Sequence, residues 1–219
     1  HNCPLSTDEF LKIPQYVYNT SKNEYIRILE EKIKSKEGGE TIDAPLSHAI
    51  FDLLPAHIIT TNYDHLLEDC SNEKRENYDV IIKDSDLLNS EKSKYIIKMH
   101  GDIKYPDSIV LKEADYLSYS QNHVLIEMFV KSLLADHTIL FLGYSLNDYN
   151  IKLMINWINY IRIQNKKLDK KTRMGYIVVD DENINSNQIN YLKNNYIEPI
   201  NICKLTKIHD IPNELTDER

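Results

Sequence analysis

The amino-acid sequence predicts an α/β fold in which a mainly parallel sheet is flanked by helices. Short apolar runs rich in branched residues are typical of strands that are covered on both faces, as in a parallel sheet. The chain contains four such runs, at 57–61, 95–99, 139–143 and 176–180. Helical patterns separate most of them, which favours an open sheet whose ligands bind beyond the carboxyl ends of the strands.

The helices are predicted from apolar residues that recur at helical spacing. Five segments show this pattern: two within 7–36, a short one between Pro45 and Pro55, one at 123–134 and one at 149–163. A further helix is predicted to begin near Leu66. Because we find neither an internal repeat nor a low-complexity linker, the sequence predicts a single domain over residues 1–219.

Composition excludes several classes of function. The 219 residues carry a formal net charge of −8 and no basic run, which argues against direct binding of nucleic acid. No apolar run reaches the roughly 18 residues that cross a bilayer, so we expect a soluble protein without membrane contact. Cys3, Cys70 and Cys203 form no CxxC motif. This spacing argues against a zinc site and a disulfide framework, and it favours the cytoplasm.

Polar residues follow the first predicted strand. Thr61, Asn62 and Asp64 come directly after it and just before the helix that begins near Leu66. At the carboxyl end of a parallel strand, Asn62 and Asp64 would project into the ligand crevice. The alternative is that one of them caps the helix by accepting a hydrogen bond from its free N–H groups, a role far commoner than catalysis.

A histidine follows the second predicted strand in the same way. His100 is a candidate general base, because imidazole accepts protons near neutral pH, and Gly101 beside it allows a ligand to approach the backbone. The chain has 8 histidines, and most histidines are surface or core residues with a satisfied hydrogen bond. His100 alone therefore leaves both interpretations open.

The last two strands also end in candidate binding residues. Gly143 and Ser145 lie where a strand meets a helix, an arrangement that can hold a ribose or phosphate against helix-end N–H groups. Ser145 and Asp148 are also close to a capping box, which is compatible with binding. Asp180 ends the fourth run, where a carboxylate can accept hydrogen bonds from ribose hydroxyls or be a solvated loop residue.

Taken in order, the strings TTNYDHLLE, IKMHGD, the stretch 106–116 and ILFLGYSLND resemble the sirtuin-like domain of bacterial defence proteins. The resemblance covers about residues 10–181. It implies a Rossmann-like, nucleotide-binding α/β fold and hydrolysis of the bond between nicotinamide and ribose in NAD. It also implies an antiviral role through NAD depletion.

The resemblance assigns roles to the candidate residues. Asn62 would position the attacking water or the ribose, His100 would be the base, and Asp64 would lie near the nicotinamide end. The residues that would bind the rest of NAD are Thr61, Gly143, Ser145 and Asp180. The resemblance further implies that NAD is the substrate and that no metal is required. Relatives form homo-oligomers or carry additional domains, which we expect here too.

Two features depart from the resemblance. Sirtuin deacylases bind zinc through paired CxxC motifs, and this chain has none, so removal of acyl groups from lysine is not expected. The family also begins with a strand and a Gly-Ala-Gly-x-Ser loop that wraps the pyrophosphate. None of the five glycines lies in such a loop. We expect that loop to precede His1 in the intact protein.

Two other functions are open. A catalytically silent sensor or assembly module could bind NAD or ADP-ribose through the same fold. A two-metal phosphoesterase could use the His-Gly-Asp string with Asn62 and Asp64. That site needs several converging ligands, and the sequence supplies no second histidine string to complete it.

We predict that residues 1–219 alone bind NAD weakly and hydrolyse it slowly or not at all. Pyrophosphate is normally held by backbone N–H groups at a glycine-rich turn, and this sequence has no such turn. Isothermal calorimetry with NAD tests the expectation. Micromolar binding would contradict it and would show that another element holds the pyrophosphate.

Overall fold

The computed structural model describes residues 7–37, 44–143, 149–164, 174–179 and 186–202. The chain divides into two compact units, His1–Met128 and Phe129–Arg219. Every ladder between described strands is parallel, and helices separate the strands along the chain. The predicted α/β class with parallel strands and flanking helices is therefore confirmed.

The first unit contains a three-stranded sheet with the order β1-β3-β2. Its strands are β1 (Ile58–Thr60), β2 (Tyr78–Ile81) and β3 (Lys94–Lys98). Its described helices are α1 (Thr7–Thr20), α2 (Lys22–Glu37), α3 (Ala44–Asp52), α4 (Leu66–Glu73), α5 (Asp84–Asn89), α6 (Glu113–Leu117) and α7 (Tyr119–Asn122), with a 3-10 turn at Pro106–Ser108. The unit boundary falls within α8 (Val124–Asp136).

β3 is the central strand of this sheet and is covered on both faces. Ile96 pairs with Ile58 of β1 and with Val80 of β2. Ile96 and Ile97 are 1% and 0% exposed. Because consecutive residues of a strand point to opposite faces, this burial confirms the strand type predicted for the apolar run at 95–99.

The core of the first unit joins α3 and α4 to the sheet. Its buried members are Phe51, Ile58, Cys70, Tyr78 and Ile96. The rings of Phe51 and Tyr78 meet edge to face, with centroids 5.5 Å apart. The Tyr78 hydroxyl donates a hydrogen bond to the Pro55 carbonyl, which satisfies its polar end. Burial raises the pKa of the Cys70 thiol, so that this side chain packs as a neutral group.

The second unit contains a sheet with the order β4-β5-β6. Its strands are β4 (Ile139–Phe141), β5 (Gly175–Val179) and β6 (Ile197–Asn201), and its other described helices are α9 (Tyr149–Gln164) and α10 (Ser186–Asn194). Gly175 pairs with Ile139, and a Cβ on Gly175 would lie 2.2 Å from the Ile139 carbonyl oxygen. Glycine is therefore required where these two strands pair.

The apolar stripe predicted on α9 is confirmed in part. Met154, Ile155 and Ile158 are at most 5% exposed, whereas Ile161 is 36% exposed. Within the described ranges, no helix combines the length and the apolar character that spanning a bilayer requires.

Sequence reasoning missed two strands, β2 and β6. Each lies at one edge of its sheet and lacks the continuous apolar run that marks a strand buried on both faces. Asp79 interrupts β2, and Glu198 and Pro199 interrupt β6. An edge strand tolerates proline because its N–H need not pair with a neighbour. Sequence reasoning also missed α10, of 9 residues, and the helices α5, α6 and α7. These three span only 6, 5 and 4 residues, too few for helical periodicity to show.

We predict that Phe51→Ala lowers the free energy of unfolding by about 3–5 kcal/mol, because it removes a ring that is 2% exposed and opens a cavity. Leu53→Ala is the matched control, since Leu53 is 62% exposed and should change stability by about 0.5 kcal/mol or less. Urea denaturation monitored by circular dichroism measures both. Similar losses in the two variants would contradict the described core.

Candidate active site

Two strand ends meet at one edge of the first sheet. β1 and β3 are parallel neighbours, Thr60 is opposite Lys98, and the Met99 N–H donates to the Thr60 carbonyl at 2.9 Å. Asn62 and His100 each lie two residues beyond this last pair. The segments 61–65, which we call the β1–α4 turn, and 99–102, which we call the β3 turn, therefore leave the sheet at the same edge. Ligands of parallel sheets bind at such an edge.

The predicted site residues of the β1–α4 turn lie at the surface. Asn62 and Asp64 are exposed, and Thr61 is half-buried. The Asn62 backbone N–H donates to Thr60 Oγ1 at 3.0 Å, which fixes the turn directly after the strand. Asp64 Oδ1 accepts a hydrogen bond from the Leu66 N–H at 3.2 Å, at the first residue of α4. Of the two candidates for a helix-capping role, Asp64 thus contacts the helix end, while the N-cap position is His65, which makes no side-chain cap hydrogen bond.

His100 is buried in the β3 turn, with 4% of the residue exposed. Its ring meets the Tyr116 ring edge to face at 5.4 Å and lies 6.4 Å from the Tyr63 ring. Gly101 has φ +85°, and a Cβ there would lie 2.1 Å from the Ser108 carbonyl oxygen. The backbone next to His100 thus requires glycine, and the imidazole is placed by aromatic packing as well as by the turn.

A buried ion cluster that sequence reasoning missed lies beside these residues. The Lys98 side chain is 0% exposed, and its Nζ lies 2.8 Å from Glu68 Oε1 and 2.8 Å from Asp102 Oδ2. Nζ also donates to the carbonyl oxygens of Tyr63, at 3.3 Å, and Asp64. The available signal was a lysine within an otherwise apolar run, because a buried ammonium requires anionic or carbonyl partners.

Asp102 is the second centre of this ion cluster. Its carboxylate oxygens lie 2.9 and 3.0 Å from His65 Nε2, and Oδ1 accepts the Lys104 N–H at 2.8 Å. Burial acts to raise the pKa of Asp102. The hydrogen bonds from Lys98 and from the Lys104 N–H, with the charges of Lys98 and His65, outweigh burial and hold that pKa below its ordinary value. Asp102 is therefore an anion at neutral pH.

The same cluster contains groups that can bind a metal ion. His65, Glu68 and Asp102 each place one ligand atom within 4.8 Å of the others. An imidazole with two carboxylates is a donor set that zinc accepts. Here the Lys98 ammonium is 2.8 Å from both carboxylates and supplies the positive charge that a metal ion would bring. A two-metal phosphoesterase needs enough ligands to hold two neighbouring metal ions. The three donors His65, Glu68 and Asp102, which surround a lysine, do not form such a set.

A cavity of about 850 Å³ lies beside the ion cluster. His65, Glu68 and Asp102 are part of its wall, whereas Asn62 and His100 are not among its lining residues. The other charged lining residues are Asp69, Asp86, Asp107, Asp115, Lys83 and Lys104. This wall is more acidic than basic, which disfavours a pyrophosphate inside the cavity.

The remaining predicted residues belong to the C-terminal part of the chain. Gly143 lies two residues after β4, in the second unit, and is exposed. Ser145 and Asp180 lie outside the described residues. That Asn62, His100 and Ser145 share one pocket at the carboxyl ends of their strands, as their positions after predicted strands lead us to expect, therefore stays a prediction.

Comparison with known proteins gives one family match. The model of the SIR2-like domain matches residues 56–200. The match begins two residues before β1 and ends within β6, so it spans strands of both units. It also contains Asn62, His100 and the ion cluster.

Individual relatives match most of the chain. Defense-associated sirtuin 2 from Bacillus subtilis is 34% identical over 209 residues, which cover 86% of this chain and 20% of that protein. NAD(+) hydrolase ThsA from Cytobacillus dafuensis is 29% identical over 187 residues, 84% of this chain and 35% of that protein. The protein of the same name from Bacillus cereus (strain MSX-D12) is 30% identical over 155 residues, 68% of this chain and 32% of that protein. The chain thus spans a fifth to about a third of the length of these relatives.

We predict a pH-dependent stability term from His123, which is half-buried and stacks on the Tyr119 ring at 4.4 Å. Burial lowers the pKa of His123, and nearby His100 acts in the same direction. Between its lowered folded pKa and 6.5, His123 therefore binds a proton in the unfolded chain but stays neutral in the folded chain. The contribution of His123 to stability is present above the ordinary histidine pKa of 6.5 and is lost as the pH falls through 6.5 toward the lowered folded value.

His123→Phe keeps a ring against Tyr119 but cannot titrate. We expect the free energy of unfolding to fall less between pH 7 and pH 5 in this variant than in the wild type. Urea denaturation across that range measures the difference. Parallel pH curves for the two proteins would contradict the lowered pKa.

Proposed function

The chain belongs to the SIR2-like domain family, and on that premise we propose that it hydrolyses NAD⁺ to nicotinamide and ADP-ribose. The observation that carries the proposal is the position of Asn62 and His100. β1 and β3 are adjacent parallel strands, and Asn62 lies two residues beyond the end of β1 while His100 lies two residues beyond the end of β3. Four matched relatives bear the name NAD(+) hydrolase, which supports the same reaction here.

The reaction consumes one NAD⁺ and one water. The bond between the nicotinamide nitrogen and ribose C1′ breaks, and nicotinamide leaves with the electron pair. The water oxygen bonds to C1′, and a water proton passes to a base. As in glycoside hydrolysis, the ribose carries oxocarbenium-like positive charge in the transition state. The site therefore needs a group that orients water, a base and a group that tolerates this charge.

The described residues can supply these three roles. The exposed Asn62 carboxamide orients the water or a ribose hydroxyl, and the His100 imidazole accepts the proton. Asp64 lies near the nicotinamide end, where a carboxylate favours the developing positive charge, and it accepts the Leu66 N–H at the start of α4 at the same time. Thr61, half-buried between the strand and Asn62, contacts the bound nucleotide.

Binding of the rest of NAD is carried over from the family resemblance. We propose that Gly143 and Ser145 contact the ribose and adenosine, and that Asp180 accepts hydrogen bonds from ribose hydroxyls. This reaction, as written, involves no metal step. The positive charge at the ion cluster comes from Lys98, which supports that proposal.

We further propose that residues 1–219 form one sirtuin-like domain, because the family match crosses the boundary between the two units. The biological role is antiphage defence through depletion of NAD in the cytoplasm. The name Defense-associated sirtuin 2 of one relative supports this role. Since the matched relatives are about three to five times longer than the matching segment, we also propose additional domains or homo-oligomers in the intact protein.

We predict that His100→Ala and Asn62→Ala in the full-length protein each lower nicotinamide release by about 10²–10⁴-fold, the usual effect of removing a general base or a water-positioning group. Asn62→Ala should leave the melting temperature unchanged, because this side chain is exposed. Free nicotinamide, measured by chromatography, and thermal melting are recorded for each variant.

Asn89→Ala and His48→Ala are the matched controls, since these residues are exposed or partly exposed and lie on α5 and α3. Both should retain normal turnover. Near-normal turnover in either test variant removes that residue from the mechanism. A wild-type protein that binds NAD or ADP-ribose without releasing nicotinamide would identify a silent binding module instead.

A further inference from the structure

We propose that Lys98 is a positioning residue for this reaction, which holds the β1–α4 turn and the β3 turn at a fixed distance from one another. The first turn carries Asn62 and the second carries His100. The inference rests on the proposed function, because it assigns Lys98 and its partner Asp102 a role in NAD hydrolysis.

The Lys98 ammonium contacts both turns at once. It donates to the carbonyl oxygens of Tyr63, at 3.3 Å, and Asp64, which directly follow Asn62. It lies 2.8 Å from the carboxylate of Asp102, two residues after His100. Glu68, in the first turn of α4, supplies a second carboxylate at 2.8 Å. A single buried cation thus joins the backbone on either side of the proposed reaction site.

Further hydrogen bonds join the same two turns, and we call this set of contacts, together with those of Lys98, the connection between the turns. The Ile103 N–H donates to the Tyr63 carbonyl at 3.1 Å, and His65 Nε2 lies 2.9 Å from Asp102 Oδ1. The Tyr63 hydroxyl donates to the Val110 carbonyl at 2.9 Å, and the Val110 N–H donates to the His100 carbonyl at 2.9 Å. All four contacts link the two turns or the segments that follow them.

This arrangement bears on turnover more than on substrate affinity. The Lys98 side chain is 0% exposed and cannot touch the substrate. It therefore acts through the backbone carbonyls and the Asp102 carboxylate that it contacts. A displacement of about 1 Å between a base and the water that it deprotonates can cost 10²-fold in rate. Loosening the ion cluster should therefore lower kcat strongly and change KM little.

The principal test is Asp102→Asn in the full-length protein. Asparagine keeps the shape and one acceptor oxygen but removes the charge that pairs with Lys98 and His65. We expect kcat for nicotinamide release to fall about 10-fold or more, with KM changed by less than about 3-fold. Assays run well below the melting temperature of each protein, so that loss of folded protein does not enter kcat.

Asp79→Asn is the matched control. Asp79 lies on β2, accepts hydrogen bonds from Ser90 Oγ at 2.7 Å and from the Lys92 N–H at 3.2 Å, and pairs with Lys92 Nζ. It is a partly buried, paired carboxylate in the same sheet, but it touches neither turn. Asp79→Asn should lower the melting temperature and leave kcat unchanged.

Two further variants distinguish the effect of Lys98 on the position of the turns from the effect of leaving a buried charge without a partner. Lys98→Met keeps the aliphatic stem but leaves two carboxylates facing each other, which strongly destabilises a buried site. The double variant Lys98→Met/Asp102→Asn removes one positive and one negative charge together. We expect it to regain melting temperature relative to Lys98→Met while kcat stays low, because the connection between the turns is still missing.

Backbone hydrogen exchange provides a readout that does not depend on activity. In Asp102→Asn, the Ile103 amide should exchange faster, since it bonds to the Tyr63 carbonyl on the other turn. The Lys104 amide should also exchange faster, since it bonds to the altered side chain itself. In Asp79→Asn, faster exchange should fall on Glu91 and Lys92 instead. If the wild type releases no nicotinamide, the proposed function fails, and exchange alone then decides whether the connection exists.

Three results would overturn the positioning role. One is normal kcat in Asp102→Asn despite faster exchange of Ile103. Another is unchanged exchange of the Ile103 amide, which would show that the ion cluster does not hold the two turns. A double variant that regains both stability and kcat would likewise assign Lys98 a purely structural role.

Discussion

The first unit is organised around the burial of a lysine ammonium at the end of its central strand. An unpaired charge in this position would cost several kcal/mol, so the groups around Lys98 have to neutralise it where it lies. Glu68, Asp102 and two backbone carbonyls do so. Because these partners come from the segments that follow β1 and β3, neutralising Lys98 also brings together the two turns that carry Asn62 and His100.

Structural and chemical demands coincide on the same residues at this edge of the sheet. Asp64 accepts the Leu66 N–H at the start of α4, and His100 packs against Tyr63 and Tyr116. Such contacts do not compete with a role in catalysis. For the proposed reaction, these contacts would order the Asp64 carboxylate and the His100 imidazole before substrate binds, so less conformational entropy is lost on binding.

The proposed chemistry needs little beyond what two neighbouring parallel strands provide. The carboxyl ends of parallel strands lie at one edge of the sheet, so the turns that carry Asn62, the proposed water-orienting group, and His100, the proposed base, leave the sheet at the same edge. Gly101, with φ +85° and no space for a Cβ, lets the backbone turn sharply between His100 and Asp102. The imidazole and the carboxylate that pairs with Lys98 are thereby held on one short turn.

The sequence by itself determined the α/β class, the four strands with continuous apolar runs and the longer helices other than α10, because strand burial and helical periodicity both follow from the local order of side chains. It also placed Asn62 and His100 after strands. The sequence did not reveal the strand order β1-β3-β2 or the edge strands β2 and β6. Local patterns report whether a strand is buried, and they do not report which strand lies beside it.

Only the tertiary structure decided which residues meet. The ion cluster joins residues 65–68 to residues 98–102, a separation in the chain that no local pattern spans. The structure likewise gave Asp64 a hydrogen bond from the first residue of α4 and packed the buried His100 against the rings of Tyr63 and Tyr116. These outcomes depend on three-dimensional proximity, since an ammonium or an imidazole is satisfied by whatever groups the fold brings within hydrogen-bond distance.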